Sequence, residues 1–441
     1  MTINNLQLEN QIINDLNILS DNSSGIFDND LQLDSIRNKT RNLARRMILD
    51  DYNGIDLASK GLEGTIDVID MFSGCGGMSF GFKLLSKIFK SYNLKAAIDL
   101  NENANKTYKR NYNVDPKKID VRELLDDEVT LRSLKKDENR PLVLIGCAPC
   151  QGFSSHNKRS KEIDERNSLV EAFAKVAVKL DPTFIIMENV PELLSKKHWE
   201  HFSVFKETLE SQGYIVRAQI INMAEFGVPQ ERYRAIVLAS KEKFLMPTGL
   251  LDINEFRTVR QAIGNLPKIK PGEKNAVDRM HLTSNHQKST IEIISQVPKD
   301  GGNRPKHIGP KWYQDVYGRL FWDRPSITIT TCARNPASGR YVHPEQNRGL
   351  SIREAACLQS FPNDFVFEGN FGSVFTQIGN AVPPKFSIYL ALHLIGEIFG
   401  NSLQEEIYRK DEQFDINIPI KNSFKSIIDN AKKKQEIDLL W

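Results

Sequence analysis

Long apolar runs are missing from this chain of 441 residues. No stretch approaches the roughly 18 to 20 apolar residues needed to cross a bilayer, and the first 19 residues are broken by Asn, Asp and Glu where a secretory signal would be apolar. The expected compartment is therefore the cytoplasm, with no membrane partner. Cysteine is scarce too. Five thiols, Cys75, Cys147, Cys150, Cys332 and Cys357, cannot all pair, and the Cys147-to-Cys150 spacing has no second Cys-x-x-Cys to complete a zinc set. Free thiols in a reducing cell, and no metal, fit that pattern. Charge of one sign is also lacking overall, since the net is +3, but the distribution is uneven. Positions 241–348 carry 18 Lys and Arg against 10 Asp and Glu, whereas the first 60 residues carry 9 acids against 6 bases. A local cationic surplus is the footprint of a polyanion-binding surface, or else simply a solvated, loop-rich face.

With 40% hydrophobic residues the chain can bury a full core, and its length suggests two or three domains. Residues 1–60 are rich in Asn and Asp and read as a partly ordered extension, in which Ile36, Leu43 and Met47 could share one helix face. Short apolar runs then recur at 66–72, 96–100, 142–145, 184–187, 215–221 and 235–239, separated by amphipathic stretches such as 169–180. Runs of this kind read as strands covered on both faces by helices, an α/β doubly wound and mostly parallel sheet, expected over 61–244. The alternation stops near Lys243. Residues 245–365 are rich in Gly, Pro, Asn, His and basic side chains, with short β-branched candidates at 326–331, and are expected to form a second, smaller domain. Val382, Phe386, Leu390 and Leu394 restore helical spacing, so 366–400 is expected to return to the first sheet. The charged tail, 401–441, has no assignable role.

Open α/β sheets gather ligands at the carboxyl ends of their strands. The first apolar run leads into Ser73-Gly74-Cys75-Gly76-Gly77, a turn that lets backbone approach a ligand closely. Ser79 stands where a dinucleotide fingerprint would place a third glycine, which disfavours nicotinamide or flavin. Asp99, ending the next run, can hold ribose hydroxyls, and Asp120-Val121 can bind an adenine amino group and cover its ring. Three strand ends would then offer an adenosine site, although a lone Asp in such a place is also a common helix N-cap. Pro149-Cys150-Gln151 puts a thiol at the end of the buried run 142–145, with a structural cysteine or a redox Cys-x-x-Cys as alternatives. Glu188 ends another run and reaches the same rim. Arg232 and Arg234 alternate along a strand start and so share a face. A zinc deaminase is disfavoured, because Phe153 replaces the second cysteine and the His-x-Glu triplets at 198–200 and 343–345 come after the thiol. His281, His286 and His307 read as polar loop residues.

In their order, Pro149-Cys150-Gln151, Glu188-Asn189-Val190, Gln230-Glu231-Arg232-Tyr233-Arg234 and Gly379-Asn380-Ala381-Val382-Pro383-Pro384 resemble the motif set of the DNA (cytosine-5) methyltransferases, of the bacterial restriction-modification type. The likeness covers roughly residues 66 to 395. It implies the S-adenosylmethionine-dependent methyltransferase fold, with Phe72 against the adenine, Gly74 and Gly76 in the turn, Asp99, Asp120 and Val121 on the adenosine, and Asn380 and Val382 closing the pocket. It further implies that Cys150 adds to C6 of an extruded cytosine, that Glu188 contacts N3 and the exocyclic amine, that Arg234 holds O2 and that Arg232 orients the pocket. Gln151, Ser154, Arg159 and Gln230 are implied contacts to double-stranded DNA, and 245–365 is implied to be the target-recognition domain. Cys357 departs from the pattern, where relatives usually carry Arg, which puts the support of that domain in doubt. A monomer is expected, with any cognate restriction endonuclease acting separately. The rivals are a transfer-RNA cytosine-5 methyltransferase and a DNA-binding relative without catalysis; intact Cys150, Glu188 and Arg234 speak against the latter.

Overall fold

In the computed structural model, residues 30–62, 64–135, 137, 139–149, 168–308, 315–400, 403–421 and 423–438 are described. The apolar runs become β1 (Ile66–Met71), β2 (Tyr92–Ile98), β3 (Leu142–Gly146), β4 (Phe184–Asn189), β5 (Ile215–Asn222) and, after the two-residue β6 (Gln230–Glu231), β7 (Tyr233–Ser240). Six of these form one sheet in the order β2-β1-β3-β4-β7-β5, while β6 pairs in parallel with β8 (Ser326–Ile327). Every residue of β1, β3 and β4 is buried, and successive side chains enter opposite layers. Val68, Val143 and Ile186 join one apolar cluster, whereas Ile69, Leu144 and Ile185 join the other. Both faces are covered, so these strands lack the polar alternation of a half-exposed sheet.

The helices follow as α1 (Asp30–Met47), α2 (Ser79–Ile88), α3 (Glu102–Tyr112), α4 (Val121–Leu124), α5 (Glu128–Leu134), α6 (Ser168–Leu180), α7 (Trp199–Glu210), α8 (Val259–Ile263), α9 (Lys288–Ser295), α10 (Ile352–Leu358), α11 (Phe371–Asn380), α12 (Pro384–Phe399), α13 (Glu405–Glu412) and α14 (Phe424–Asp438). α2 and α12 cover one face of the sheet, and α6 and α7 the other. The sheet is mostly parallel, but β7 runs antiparallel to both β4 and β5. Only residues 223–232 separate β5 from β7, fewer than a parallel crossover requires.

The described segments that flank this body in sequence, α1 and residues 403–438 apart from 422, pack onto it. In α1, Ile36, Leu43 and Met47 are buried as their spacing predicts. Arg37, Arg41 and Arg45, four residues apart on one helix face, reach out to separate places. Arg37 Nε lies 3.0 Å from a Glu397 carboxylate oxygen on α12, Arg41 donates to the Gly249 carbonyl at 2.7 Å, and Arg45 pairs with Glu255. The tail covers the outer edge of β5, where unpaired backbone would otherwise invite other strands. Ile416 N donates to Ala218 O at 2.9 Å, and buried Arg217 meets Asp415 at 2.7 Å and Asp411 at 2.9 Å.

Residues 245–365 share a core with the sheet. Phe256, Val259, Leu320, Trp322 and Ile329 belong to the same apolar cluster as Val68 and Phe386. With little regular structure, the segment satisfies its backbone through arginines. Arg319 donates to the carbonyls of Ile294, Val297, His343 and Gln346. Part of the cationic surplus therefore lies inside the protein, because carbonyls that no ladder engages need donors. At the departure from the family pattern, Cys357 is buried and its thiol, 3.0 Å from Asn363 Oδ1, is pushed up to about 12 by burial. Arg257, Lys385 and Asp51 share a cavity of about 40 Å³ beside it.

The most deeply buried of the arginine–carboxylate pairs is bidentate: Arg348 holds both oxygens of Glu354 at 2.7 Å, with each side chain essentially inaccessible. Burial alone would raise the Glu354 carboxyl, but Arg348 outweighs it and brings it down to about 2 from an ordinary 4.5. As pH falls the unfolded chain takes up this proton first, so the stabilisation is complete above about pH 4.5 and lost between 4.5 and 2. Glu354→Gln is expected to cost about 3 kcal/mol at neutral pH by stranding a buried guanidinium. In denaturant titrations the gap from wild type should close as the pH approaches 2; a gap independent of pH would contradict the assignment.

Candidate active site

A cleft of about 290 Å³ opens at the carboxyl ends of the central strands, and Phe72, Gly74, Asp99, Glu188, Arg232, Arg234, Asn380 and Val382 all line it. The segment leaving β3 reaches the same wall, since Cys147, Ala148 and Pro149 line the cleft. Cys150, Gln151, Ser154 and Arg159 lie outside the described residues.

The turn after β1 carries unusual backbone. Phe72 has φ +57°, a left-handed conformation that costs a non-glycine residue of order 1 kcal/mol, and Gly74 follows at +52°. Asp99 at the end of β2 fixes that turn: one carboxylate oxygen accepts Gly74 N–H at 2.8 Å and the other accepts Asn101 N–H at 2.7 Å. Burial pushes the Asp99 carboxyl up, and those two amides oppose the shift. Each oxygen keeps a second lone pair for a hydroxyl ligand. A side chain at Gly77 would come within 2.2 Å of Val382 O, so the two turns meet backbone to backbone, and that contact brings Asn380 and Val382 to the cleft.

Opposite this turn, Glu188 ends β4 and Arg234 begins β7, with Arg234 Nε 3.0 Å from Glu188 Oε1. That oxygen is buried and has no hydrogen-bond partner, so the nearby cation balances its charge without capping its lone pairs. Arg232 is fully buried behind them. Its Nη1 donates to Ile329 O at 3.2 Å, and its Nη2 donates to Gly379 O at 3.1 Å and Ala381 O at 3.2 Å. Burial and then Arg234 lower its pKa to about 9, which leaves it charged at neutral pH.

Four expected residues stand elsewhere. Asp120 is the N-cap of α4, accepting Arg122 N–H at 2.8 Å and pairing with the Arg122 guanidinium at 2.7 Å. It precedes β3 rather than following it, so the strand-end argument does not apply, and the N-cap alternative describes it. Val121, the first residue of α4, is buried in the core and does not line the cleft. Gly76 lies behind the turn at φ +91°, where a Cβ would come 2.1 Å from the Tyr112 ring. Gln230, expected on nucleic acid, is 0% exposed: its amide donates to Leu358 O at 3.1 Å and Gln359 Oε1 at 2.6 Å, and its oxygen accepts Ile329 N–H at 2.8 Å.

Sequence reasoning also missed lining residues. Asn101 caps α3, and Ser73 and Asn189 directly follow Phe72 and Glu188 at strand ends, so these three carried a readable local signal, whereas Thr376 joins the cleft only through contact between distant segments. Among the described residues no cluster of three or more His, Cys, Asp or Glu is gathered as for a metal.

The mostly parallel sheet with flanking helices, a glycine turn and carboxylates at neighbouring strand ends is a methyltransferase fold. It is similar to the crystal structure of a DNA modification methyltransferase encoded within an E. coli prophage, with a TM-score of 0.59 and 24% identity over 75% of this chain and 98% of that one. Residues 66–395 match the C-5 cytosine-specific DNA methylase family, and the chain belongs to it as a DNA (cytosine-5) methyltransferase. Type II methylase M.HgiDII of Herpetosiphon aurantiacus is 34% identical over 333 residues, covering 72% of this chain and 91% of that protein. Type II methyltransferase M1.HphI of Haemophilus parahaemolyticus is 35% identical over 335 residues, covering 74% and 86%. The matched span leaves α1, α13 and α14 outside.

Gln230 decides between a structural and a DNA-facing role. Gln230→Ala orphans Ile329 N–H and the Gln359 amide, and is expected to lower unfolding free energy by about 2 kcal/mol. Urea unfolding measures that loss. Unchanged stability with weakened DNA binding would restore the nucleic-acid role.

Proposed function

We propose that this enzyme transfers a methyl group from S-adenosylmethionine to C5 of a cytosine swung out of a specific duplex sequence, through a transient bond between Cys150 Sγ and C6. The observation that carries the reading is the cleft itself, which puts Glu188 and Arg234 on one wall and Phe72 and Asp99 on another. A base and a nucleoside-bearing donor can meet between them. The donor's chemistry fits the residues: Asp99 suits a ribose diol, Phe72 offers a ring to adenine, and Ser73 Oγ is buried with no partner. Gly74, Asn380 and Val382 complete the enclosure. When bound, S-adenosylmethionine supplies the electrophilic methyl.

Cytosine C5 is too weak a nucleophile to take that methyl unaided. Thiolate addition at C6 breaks the ring's aromaticity and moves electron density to C5. A proton delivered to N3 from a Glu188 oxygen, with the exocyclic amine donating to that carboxyl group, offsets the negative charge that develops on the ring, while Arg234 holds O2 and Arg232 keeps the wall in place. After C5 is methylated, loss of its proton to base and departure of the thiolate restore the aromatic ring and free the enzyme. A base inside a duplex is unreachable, so extrusion at a cost of a few kcal/mol precedes this, with Gln151, Ser154 and Arg159 assigned to the opened strand.

Residues 61–244 are assigned to catalysis and 245–365 to target recognition, acting as a monomer in the cytoplasm on double-stranded DNA. The Type II names of the relatives support a restriction-modification setting with a separately acting endonuclease. Transfer RNA is the rival substrate. With labelled donor, duplex DNA is expected to take up methyl groups and transfer RNA not. A duplex bearing 5-fluorocytosine at the target should become irreversibly tethered to wild-type protein, and Cys150→Ser should bind it without tethering. Label in RNA alone, or tethering that survives Cys150→Ser, would refute the proposal.

A further inference from the structure

Most arginines of the cationic segment are engaged within the protein. Arg257 pairs with Asp51 at 2.7 Å, Arg260 with Asp323 at 2.6 Å, and Arg279 lies 3.4 Å from Glu368. Arg319, Arg340 and Arg348 are buried. Arg334 differs from all of these. It is exposed, and among the described residues it makes no hydrogen bond or ion pair.

An exposed arginine is ordinarily just solvated, so its setting decides. The loop that carries it is built by its own polar groups. Cys332 N donates to Thr330 Oγ1 at 3.3 Å, Ala333 N donates to Thr330 O at 3.0 Å, and Ser338 Oγ lies 2.7 Å from both Cys332 O and Asn335 O. The base of the loop is fastened to the cleft. Ile329 O accepts from Arg232, and a Cβ on Gly379 would come within 2.3 Å of Thr331 N, so loop backbone lies directly on the end of α11. The guanidinium lies over the start of that helix, with Nη1 3.7 Å from the position of a Cβ on Gly372. Thr376, one helical turn further on, lines the cleft.

An exposed, unpaired cation on a braced loop thus stands at the rim of the cleft assigned to the base. Any strand whose nucleotide enters must carry its phosphates past that rim, and a guanidinium fork matches a phosphate's oxygens. We propose that Arg334 is a positioning residue that grips a backbone phosphate of the strand bearing the target cytosine. This rests on the reading of the cleft as a DNA cytosine site.

Duplex binding measured over a range of salt concentrations tests it. Each neutralised phosphate contributes about 0.9 to the slope of log K against log salt, or about eightfold in affinity near 0.1 M. Arg334→Ala is therefore expected to lower the slope by about 0.9 and weaken binding about eightfold. Arg334→Lys should keep the slope, and Arg132→Ala, on α5 outside the cleft, should match wild type. Affinity for S-adenosylmethionine alone should not move in any of the three. A wild-type slope in Arg334→Ala overturns the proposal, including the case where affinity falls or the methylated sequence broadens, which would mean a base-edge contact. Should wild type itself neither bind nor methylate duplex DNA, the reading of the cleft fails; should wild type be active and Arg334→Ala indistinguishable from it, only this inference fails.

Discussion

Arg232 carries its charge into the interior with no carboxylate in hydrogen-bond contact among the described residues, and three backbone carbonyls from two distant stretches accept its N–H groups. Removing an ion from water costs several kcal/mol, and convergent dipoles in a water-free setting are what recovers it. Ile329 belongs to the segment assigned to recognition, while Gly379 and Ala381 lie at the end of α11 and just after it, on the side assigned to the cofactor. The guanidinium therefore fixes the distance between them and sets the wall on which Arg234 and Glu188 stand. Gln359 extends the tie, donating to Ala381 O at 2.6 Å while accepting from Gln230. A change at one of the three carbonyls bears on the other two, because they share the donors of Arg232 and Gln359.

The same economy holds at the periphery. Where the segment 245–365 lacks ladders, arginines bridge carbonyls that would otherwise be orphaned, and that use limits how much of its positive charge can face a polyanion. The ends of the chain act as fasteners. α1 joins α12 to residues 248–255 through its arginine face, and Lys385 on α12 donates to Ile48 O at 2.7 Å and Asp50 O at 2.8 Å just beyond that helix. The tail closes β5. Neither end belongs to the matched family span, yet both bear on elements that do.

Legibility in the sequence followed the range of the interactions. Strands buried on both faces announce themselves as continuous apolar runs, so the sheet could be read, and residues at strand ends could be placed on one rim: Phe72, Asp99 and Glu188 meet as their positions imply. Arg232 and Arg234 reached the cleft by simple alternation. Asp120 caps α4, which with α5 stands before β3, and a capping Asp looks like a binding Asp until its amide partner is known. Gln230 failed because a fully satisfied buried amide has no signature of its own; only the positions of Leu358, Gln359 and Ile329 reveal it. The antiparallel β7 could have been inferred from the short connection preceding it. Charge counting misled in part, since composition does not distinguish an arginine that holds carbonyls from one that faces solvent.

The most direct measurement replaces Arg232 with Met, of similar length but without charge or donors, and follows S-adenosylmethionine affinity and methyl transfer to duplex DNA in the same preparation. Losses in both, in a protein that still unfolds cooperatively, are the predicted result, because the cofactor-side turn and the base-side wall share this tie. Full affinity and full transfer in a folded Arg232→Met protein would contradict it.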